Sequence, residues 1–459
     1  MTAAREQRAW AGRRVLIMGL GTKDGGVGAA KFFASRGAHV VVTDRAPAAE
    51  LRTSLRALAG LPIRYRLGTH AAEDFRQAEV VIRNVGIPRD HPLLTLARKH
   101  GAVVHAPIGV LALEAGRPWI GITGSKGKSL TTSLVAQLLG GDAAGIVEAG
   151  NNCVSPLRVL DRAARGVFEL SSWQLAELGS LSVSPRIACM VSFFADHQDF
   201  YPGLAPYFAD KAQIAKHQRA GDTLVVPLAP WTASLPGNAP RFFFGRGEPS
   251  RDGCFEYDAQ IWWRENERTE RIAPLDHLPK PLRDPHHRLL LLAALACGKR
   301  AGVTTRTLAE RIPSLSGLPH RMERCGRRGE VAFINDSAAT TPESTALALK
   351  AVSGRVVLIA GGGGAKERSY AELARFLWSR ASGVVVFSED EVGRQLRALA
   401  PRGFPLRVCG RRRMNDAVAA AVDLLGPAGG TVLLSPGCKG GPTFRDMYER
   451  GDLFRAAAS

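Results

Sequence analysis

The sequence predicts an α/β protein with two or three domains, each built on an open and mostly parallel sheet. Three observations support this prediction. A chain of 459 residues exceeds what one hydrophobic core usually holds. Short apolar runs typical of strands alternate with segments of helical periodicity along the chain. Glycine-rich or polar turns follow several of these runs, and ligands of parallel sheets bind where strands end.

The composition is that of an ordinary globular protein, with 45% hydrophobic and 22% charged residues. No apolar run approaches the roughly 20 residues that are needed to span a bilayer. The N-terminal segment is polar and has no apolar signal-like core. We therefore expect a cytoplasmic protein that does not associate with a membrane.

The chain carries 61 Lys and Arg against 42 Asp and Glu, a formal net charge of +19. This excess is compatible with nucleic acid, a membrane surface or anionic metabolites. The basic residues are scattered, which favours anionic small molecules, and we expect no nucleic-acid partner. Seven cysteines without a C-x-x-C pair indicate reduced thiols and argue against a zinc site or a disulfide framework.

The first glycine-rich turn follows the apolar run Val15 to Met18 and precedes a second run that ends at Asp44. This pattern predicts a βαβ unit that binds a nucleotide, with Asp44 placed to reach a ribose. The glycine spacing is irregular, so NAD, another nucleotide and a purely structural turn all stay open. A further strand, Val80 to Arg83, is followed by Asn84 and Gly86, which would face the same crevice. Residues 103 to 105 would form the last strand of this domain.

The second glycine-rich turn, Gly121 to Ser129, predicts a phosphate-binding loop between a strand and a helix. Glycines let backbone N–H groups converge on oxyanions, Lys128 can reach the β- and γ-phosphates, and Ser129 can ligate Mg²⁺. The spacing is one residue longer than the common form of this motif. A structural glycine-rich turn is the alternative.

Glu169 ends the next apolar run, and a carboxylate at a strand end beside a phosphate loop is a candidate Mg²⁺ ligand. Judged by its position alone, His197 is more typical of a structural residue. Lys211, judged in the same way, is more typical of a solvated charge on a helix. The pair His286 and His287 lacks a third metal ligand. Residues 222 to 285 are predicted to form peripheral strands and loops, without recognisable chemistry.

The C-terminal part begins near Ser314 and again alternates strands with helical segments. Strands are predicted over residues 331–334, 356–360, 384–387 and 431–434. The turns that follow three of them hold Asn335 to Ser337, Gly361 to Gly364 with Lys366, and Ser435 to Gly437.

Taken in order, these motifs give the chain a resemblance to the Mur ligase family that covers nearly its whole length. The motifs that carry it are Gly121 to Thr132, Glu169 to Leu175, Asp196-His197 with Tyr207 to Lys211, Gly317 to Arg321, Asn335 to Ser337 with Ala339-Thr340, and Val432 to Pro436 with Glu449 to Asp452. Within the family the chain looks most like the ligases that add glutamate to UDP-N-acetylmuramoyl-L-alanine.

The resemblance implies three domains: a Rossmann-like UDP-binding domain over residues 1–108, a central P-loop ATPase-type α/β domain over 109–313, and a Rossmann-like amino-acid-binding domain over 314–459. It also implies an ATP-dependent amide ligase of peptidoglycan precursor synthesis that acts through an acyl phosphate. ATP and Mg²⁺, as two ions, are the implied cofactors, and we expect a monomer. Lys211 would be carbamylated and would then ligate magnesium.

The resemblance also assigns residues. The catalytic set is Lys128, Glu169, His197 and Lys211, and the metal ligands are Ser129, Glu169, His197 and Lys211. The ATP-binding set is Gly124, Ser125, Lys126, Gly127, Lys128, Ser129, Leu130, His287, Arg321 and Asp336. The UDP-substrate set is Thr22, Lys23, Asp44, Asn84, Gly86, Asn151, Ser171 and Gln174. The glutamate set is Thr340, Lys366 and Ser435.

Several positions depart from the family pattern. Lys126 and Ser192 each stand where the family usually has Asn, and His287 and Leu290 replace adenine-contacting Asn residues. Around the amino acid, Ala338 and the loop Cys438 to Pro442 differ, and Met447 stands near an expected Phe. We favour D-glutamate as the amino acid, with L-glutamate as the alternative. A folylpolyglutamate-synthase-like ligase and a non-catalytic nucleotide-binding protein also stay open.

Overall fold

The computed structural model describes residues 10–117, 119–152, 154–162, 165–195, 200–363, 369–387, 390–410, 412–440 and 443–459. The chain forms two compact units, with the boundary between Ser316 and Gly317. The first unit contains two sheets and the second contains one.

The first sheet has five parallel strands in the order β3-β2-β1-β4-β5. Its strands are β1 (Arg14–Met18), β2 (His39–Asp44), β3 (Ile63–Leu67), β4 (Val80–Arg83) and β5 (Val103–His105). Its helices are α1 (Asp24–Ala34), α2 (Arg52–Ala57), α3 (Ala72–Gln77), α4 (Pro92–Lys99) and α5 (Pro107–Ala115). Strands β1 and β4 are continuous apolar runs because both of their faces are covered.

The second sheet has nine strands in the order β14-β13-β12-β11-β10-β9-β6-β8-β7. Its strands are β6 (Ile120–Thr123), β7 (Ile146–Gly150), β8 (Arg165–Glu169), β9 (Ile187–Met190), β10 (Thr223–Pro227), β11 (Arg241–Arg246), β12 (Gly253–Tyr257), β13 (Gln260–Glu265) and β14 (Arg268–Pro274). Its helices are α6 (Lys128–Leu138), α7 (Arg158–Asp161), α8 (Ser172–Ser180), α9 (Leu204–Lys216), α10 (Pro285–Arg300) and α11 (Thr305–Arg311). Among the described strands of this sheet, the antiparallel pairs are β12–β13 and β13–β14. The seven strands β6 to β12 are parallel, so their carboxyl ends lie at one edge.

The two sheets of the first unit share one hydrophobic core. The same buried cluster contains Val15 and Ile17 of the first sheet and Ala149 and Phe168 of the second. Arg83, at the end of β4, also forms a buried ion pair with Glu177 of α8 (Nη2–Oε2 3.2 Å). These contacts explain why the first two sheets form one compact unit.

The second unit is a six-stranded sheet in the order β15-β16-β20-β17-β18-β19, parallel except for the β15–β16 pair. Its strands are β15 (Glu323–Arg328), β16 (Val331–Asn335), β17 (Val356–Ala360), β18 (Gly383–Phe387), β19 (Leu406–Cys409) and β20 (Gly430–Leu434). Its helices are α12 (Pro342–Ala351), α13 (Ala371–Arg380), α14 (Glu391–Leu399), α15 (Met414–Leu425) and α16 (Met447–Ala458). Strands β16, β20 and β17 lie side by side, so the turns that follow them meet at one edge.

The three α/β sheets confirm the predicted fold class, with one Rossmann-like part before and one after the central phosphate-loop part along the chain. The boundaries at 108/109 and 313/314 remain predictions. The predicted peripheral strands of residues 222 to 285 extend the central sheet as β10 to β14. Within the described part of the chain, every helix is too short or too polar to span a bilayer.

Candidate active site

The phosphate loop connects the end of β6 to the start of α6. Gly127 caps the helix with φ +89°, and a Cβ there would lie 2.6 Å from Leu290 Cδ2. Gly124 has φ +154°, and its Cβ would lie 2.6 Å from Val191 Cγ2. Both positions therefore require glycine. The first-turn N–H groups of α6 have no partner within the helix, so this end favours an anion.

The Lys128 side chain folds back over the loop, where Nζ donates to the carbonyl oxygens of Gly124 (2.8 Å) and Ser125 (3.1 Å). Ser129 and Leu130 follow it in the first turn of α6. Ser192, the departure from the family pattern, bridges the loop: its hydroxyl accepts from the Lys126 N–H (3.0 Å) and donates to the Lys126 carbonyl (2.8 Å). The Ser192 hydroxyl thus provides hydrogen-bond partners for both the N–H group and the carbonyl of Lys126.

Glu169 ends β8 beside the phosphate loop and is 3% exposed. Its Oε1 accepts a hydrogen bond from Asn151 Nδ2 (2.9 Å), whereas Oε2 is buried without a hydrogen-bond partner among the described residues. A buried carboxylate oxygen without a donor is costly unless a cation satisfies it. Oxygen ligands beside a phosphate loop fit Mg²⁺.

A second carboxylate, Glu148 of β7, lies near Glu169. Burial raises the pKa of Glu148, and the negative charge of Glu169 raises it further. The hydrogen bond that Glu148 accepts from the Ser133 hydroxyl (3.3 Å) lowers this pKa but does not cancel the rise. Sequence reasoning missed Glu148, because only the β7–β8 pairing brings the two strands together. Among the described residues, no group of three His, Cys, Asp or Glu side chains is arranged around a metal position; His197 lies outside the described residues.

Lys211 is buried beside the phosphate loop, so the expectation of a solvated helix charge from its position alone is wrong. It lies on α9 with 1% exposure, and its Nζ donates to the Gly124 carbonyl (2.9 Å) and to Thr123 Oγ1 (3.3 Å). The helix packs on the central sheet, which turns this residue inward. The structure therefore brings together Lys128, Glu169 and Lys211 at one edge.

The N-terminal crevice lies at the carboxyl ends of β2, β1 and β4. The Asp44 carboxylate accepts from the N–H groups of Gly21 (2.9 Å) and Ala46 (2.9 Å), which fixes it against the first glycine-rich turn. Asn84 Nδ2 donates to the Gly19 carbonyl (3.3 Å). Thr22 and Lys23 lie in the same turn, immediately before α1.

Gly86 lies just beyond β4, where it lines a cavity of about 440 Å³ together with Arg89, Trp173 and Asp210. Trp173 is in the first turn of α8, so the cavity lies between the segment that follows β4 and the start of α8.

Ser171 and Gln174 form a capping box at the start of α8, just after Glu169. The Ser171 hydroxyl accepts from the Gln174 N–H (3.3 Å), and Gln174 Oε1 accepts from the Ser171 N–H (3.0 Å). This pairing explains the Ser-x-x-Gln spacing structurally and holds both side chains next to Asn151 and Glu169.

His287 lies one helical turn before Leu290 on α10, the helix that packs under Gly127. Its Nδ1 is 2.8 Å from the Pro281 carbonyl oxygen. The predicted nucleotide residue is thus on an element that contacts the loop.

In the second unit, the turns after β16 and β20 meet around Asp336. Its Oδ2 accepts from the Ser435 hydroxyl (2.8 Å) and its Oδ1 accepts from the Met322 N–H (3.3 Å). Burial raises the pKa of Asp336 to about 6, against the opposing hydrogen bonds and the charge of Arg321. Arg321, shortly before β15, is exposed, and Thr340, in the segment after β16, is half-buried. Lys366 lies outside the described residues.

Arg450 is a further residue of this edge whose importance the sequence did not reveal. It is fully buried, and its guanidinium donates to the turns after β16, β17 and β20. Its only signal in the sequence was membership of the Glu449 to Asp452 motif.

Three family profiles match the chain in order. They are described as "Mur ligase MurD-like, N-terminal domain" over residues 13–106, "Mur ligase middle domain" over 122–242 and "Mur ligase, glutamate ligase domain" over 320–438.

Curated relatives match along almost the whole chain. A UDP-N-acetylmuramoylalanine--D-glutamate ligase of Roseiflexus sp. (strain RS-1) is 35% identical and covers 97% of this chain and 98% of its own. A protein of the same name from Anaeromyxobacter dehalogenans (strain 2CP-C) is 35% identical, with 98% coverage of both chains.

Among solved structures, the UDP-N-acetylmuramate-alanine ligase MurC of Thermotoga maritima shares the fold, with a TM-score of 0.59 at 18% identity over 96% of this chain and 98% of that one. Three consecutive family profiles and full-length relatives at 35% identity agree with the phosphate loop, the buried Glu169 and the three sheets. The chain belongs to the Mur ligase family.

Proposed function

We propose that this protein is an ATP-dependent ligase that adds D-glutamate to UDP-N-acetylmuramoyl-L-alanine in peptidoglycan precursor synthesis. The observation that carries the proposal is the full-length similarity to relatives named as D-glutamate ligases. In the reaction, a carboxylate oxygen of the alanine attacks the γ-phosphorus of ATP, and the bond to ADP breaks. The glutamate amine then attacks the acyl phosphate carbon, loses a proton and expels orthophosphate.

Phosphoryl transfer needs mainly positioning and charge neutralisation. We assign the nucleotide phosphates to the loop Gly124 to Gly127 and the first turn of α6 through Leu130. Lys128 would exchange its two carbonyl acceptors for phosphate oxygens, since its ammonium already lies over the loop. His287 is the proposed adenine-side residue on α10.

Mg²⁺, as two ions shared with the phosphates, would be held by Ser129, Glu169, His197 and Lys211. When bound, magnesium neutralises the phosphate charge. The buried Glu169 Oε2, which has no hydrogen-bond partner among the described residues, supports a cation at this place. Carbamylation of Lys211 would convert a buried cation beside the loop into an additional carboxylate-like ligand.

The UDP part of the substrate is assigned to Thr22, Lys23, Asp44, Asn84 and Gly86, which line the carboxyl edge of the first sheet. The muramoyl-alanine part is assigned to Asn151, Ser171 and Gln174. Asn151 already bonds Glu169 (2.9 Å), so the same residue would position the substrate carboxylate and the proposed metal ligand.

In the second unit, Arg321 and Asp336 are the proposed nucleotide residues, and Thr340, Lys366 and Ser435 are the proposed glutamate residues. The altered loop after β20 and Ala338 leave L-glutamate as a second candidate amino acid. The six described cysteines are free, which supports a reducing compartment, and we propose a cytoplasmic monomer.

The test is phosphate release with ATP, Mg²⁺ and UDP-N-acetylmuramoyl-L-alanine, run in parallel with D-glutamate and L-glutamate. Product with D-glutamate alone supports the proposal. Product mainly with L-glutamate replaces it by the second candidate, and no product with either refutes both. Removal of divalent cations with EDTA should stop turnover, and added Mg²⁺ should restore it; turnover that persists in EDTA contradicts the metal assignment.

A further inference from the structure

Arg450 is the centre of a buried network in the second unit. It lies in the first turn of α16, whose N-terminus Asp446 caps through the N–H groups of Tyr448 (3.0 Å) and Glu449 (2.9 Å). The Arg450 side chain is 0% exposed. A fully buried guanidinium is costly unless its donors are satisfied, so its partners indicate what it is used for.

Those partners belong to three different turns. Nε donates to Ser337 Oγ (3.0 Å) and Nη2 to the Ser337 carbonyl (3.0 Å), in the turn after β16. Nη2 also donates to the Cys438 carbonyl (3.0 Å), after β20, and Nη1 to the Gly361 carbonyl (3.4 Å), after β17. One planar fork therefore ties together the turns after three adjacent strands.

The same turns carry the residues proposed above for the nucleotide and the amino acid. Asp336 precedes Ser337, and Ser435 lies three residues before Cys438 in the turn that Arg450 holds. The turns are also joined directly, since the Gly437 N–H donates to the Ala339 carbonyl (3.0 Å) and the Gly361 N–H to the Pro436 carbonyl (2.9 Å). Loss of the Arg450 guanidinium would thus remove hydrogen bonds that hold the turns after β16, β17 and β20 together.

Arg450 also places a positive charge under the edge. Among the described residues, no carboxylate forms an ion pair with its guanidinium. The carboxylates of Asp390 and Asp446 act on this charge only at longer range, and that of Asp390 also accepts hydrogen bonds from the Gly362 and Gly393 N–H groups (2.6 Å each). A buried cation beneath backbone turns favours an anionic ligand above them.

We propose that Arg450 is a positioning residue for the acidic amino acid: it holds the turns after β16, β17 and β20 in the arrangement that binds glutamate. This inference rests on the proposed function. It assigns to Arg450 no contact with substrate; its effect passes through Ser337, Gly361 and Cys438.

The experiment compares the full-length variants Arg450→Met and Arg450→Lys with Phe454→Leu. Phe454 is a matched control, because it is fully buried on the same helix but packs against Phe333 (ring centroids 6.4 Å apart) rather than the turns. Arg450→Met should raise the KM for glutamate about 10- to 100-fold and the KM for ATP by a clearly smaller factor, because most of the proposed ATP residues lie in the first unit. Arg450→Lys, which keeps the charge but not the fork, should lie between wild type and Arg450→Met.

A second measurement does not depend on activity. Without substrates, amide exchange at Gly361 and Gly437 should accelerate at least about tenfold in Arg450→Met and stay near wild type in Phe454→Leu. The proposal is overturned if both amides keep wild-type exchange, or if the KM values for glutamate and ATP rise by the same factor. If the wild-type enzyme ligates neither enantiomer of glutamate, the proposed function fails, whereas the exchange result still decides whether Arg450 holds the turns.

Discussion

The ionised carboxylate of Asp336 should lower the free energy of unfolding of the second unit at neutral pH. Substitution by asparagine, which cannot ionise, should raise that free energy again. Burial raises the pKa of Asp336 from 3.8 to about 6. Because the folded value is the higher one, the favourable contribution of the protonated form is complete below 3.8 and is lost as the pH rises through about 6. At about 1.4 kcal/mol for each pH unit between those values, the ionised carboxylate costs about 3 kcal/mol near pH 8.

Asparagine can keep both hydrogen bonds that the protonated acid makes with Met322 and Ser435. Its carbonyl oxygen can accept from the Met322 N–H, and the Ser435 hydroxyl can reverse to accept from the new amide. Asp336→Asn should therefore raise the free energy of unfolding of this unit by about 3 kcal/mol near pH 8 and by about half of that near pH 5.

Native-state amide exchange of β20, a central strand of the sheet, measures this free energy directly. A gain that is the same at both pH values, or a loss near pH 8, would refute the electrostatic reasoning. The same variant should lose ligase activity if Asp336 acts in nucleotide binding, so stability and turnover should change in opposite directions.

Three further predictions concern the first unit. Lys128→Ala should abolish product formation in a folded protein, and near-normal turnover in a coupled phosphate assay would exclude its phosphate role. Lys211→Ala should be inactive and partly restored by short-chain carboxylic acids, whereas full activity without them would remove it from the site. Glu177→Leu should lower the free energy of unfolding by about 3–5 kcal/mol, because it leaves the buried Arg83 charge uncompensated. In urea titrations, Glu73→Gln, from an exposed ion pair with Arg76, should cost less than about 1 kcal/mol, and an equal loss in both variants would contradict the burial argument.

The elements that sequence reasoning found are those with continuous apolar runs. Strands β1, β4 and β17 are predicted because strands covered on both faces are apolar at nearly every position. Strand β15 was missed, since it lies at the sheet edge with mostly exposed polar side chains. An exposed polar strand of this kind carries no hydrophobic pattern that periodicity can detect.

For the candidate site, local sequence patterns predict residues that follow strands, whereas the helix residues Lys211 and His287 are named only through the family resemblance. The phosphate loop and Glu169 are predicted because a turn motif and a strand end are local features. The burial of Lys211, 1% exposed, and of Arg450, 0% exposed, depends on which face of α9 and α16 packs on a sheet. A charged residue on an amphipathic helix has the same local pattern whether it is solvated or buried.

The amino-acid sequence was enough to predict the fold class, the phosphate loop, the family and the polar residues at strand ends. Each of these rests on local periodicity or on short motifs. The three-dimensional fold was needed to show that β7 lies beside β8, which brings Glu148 near Glu169, and that β20 lies between β16 and β17, which lets one guanidinium join three turns. The cause is that crossover connections set strand order in a parallel sheet, and local sequence does not encode which strands become neighbours.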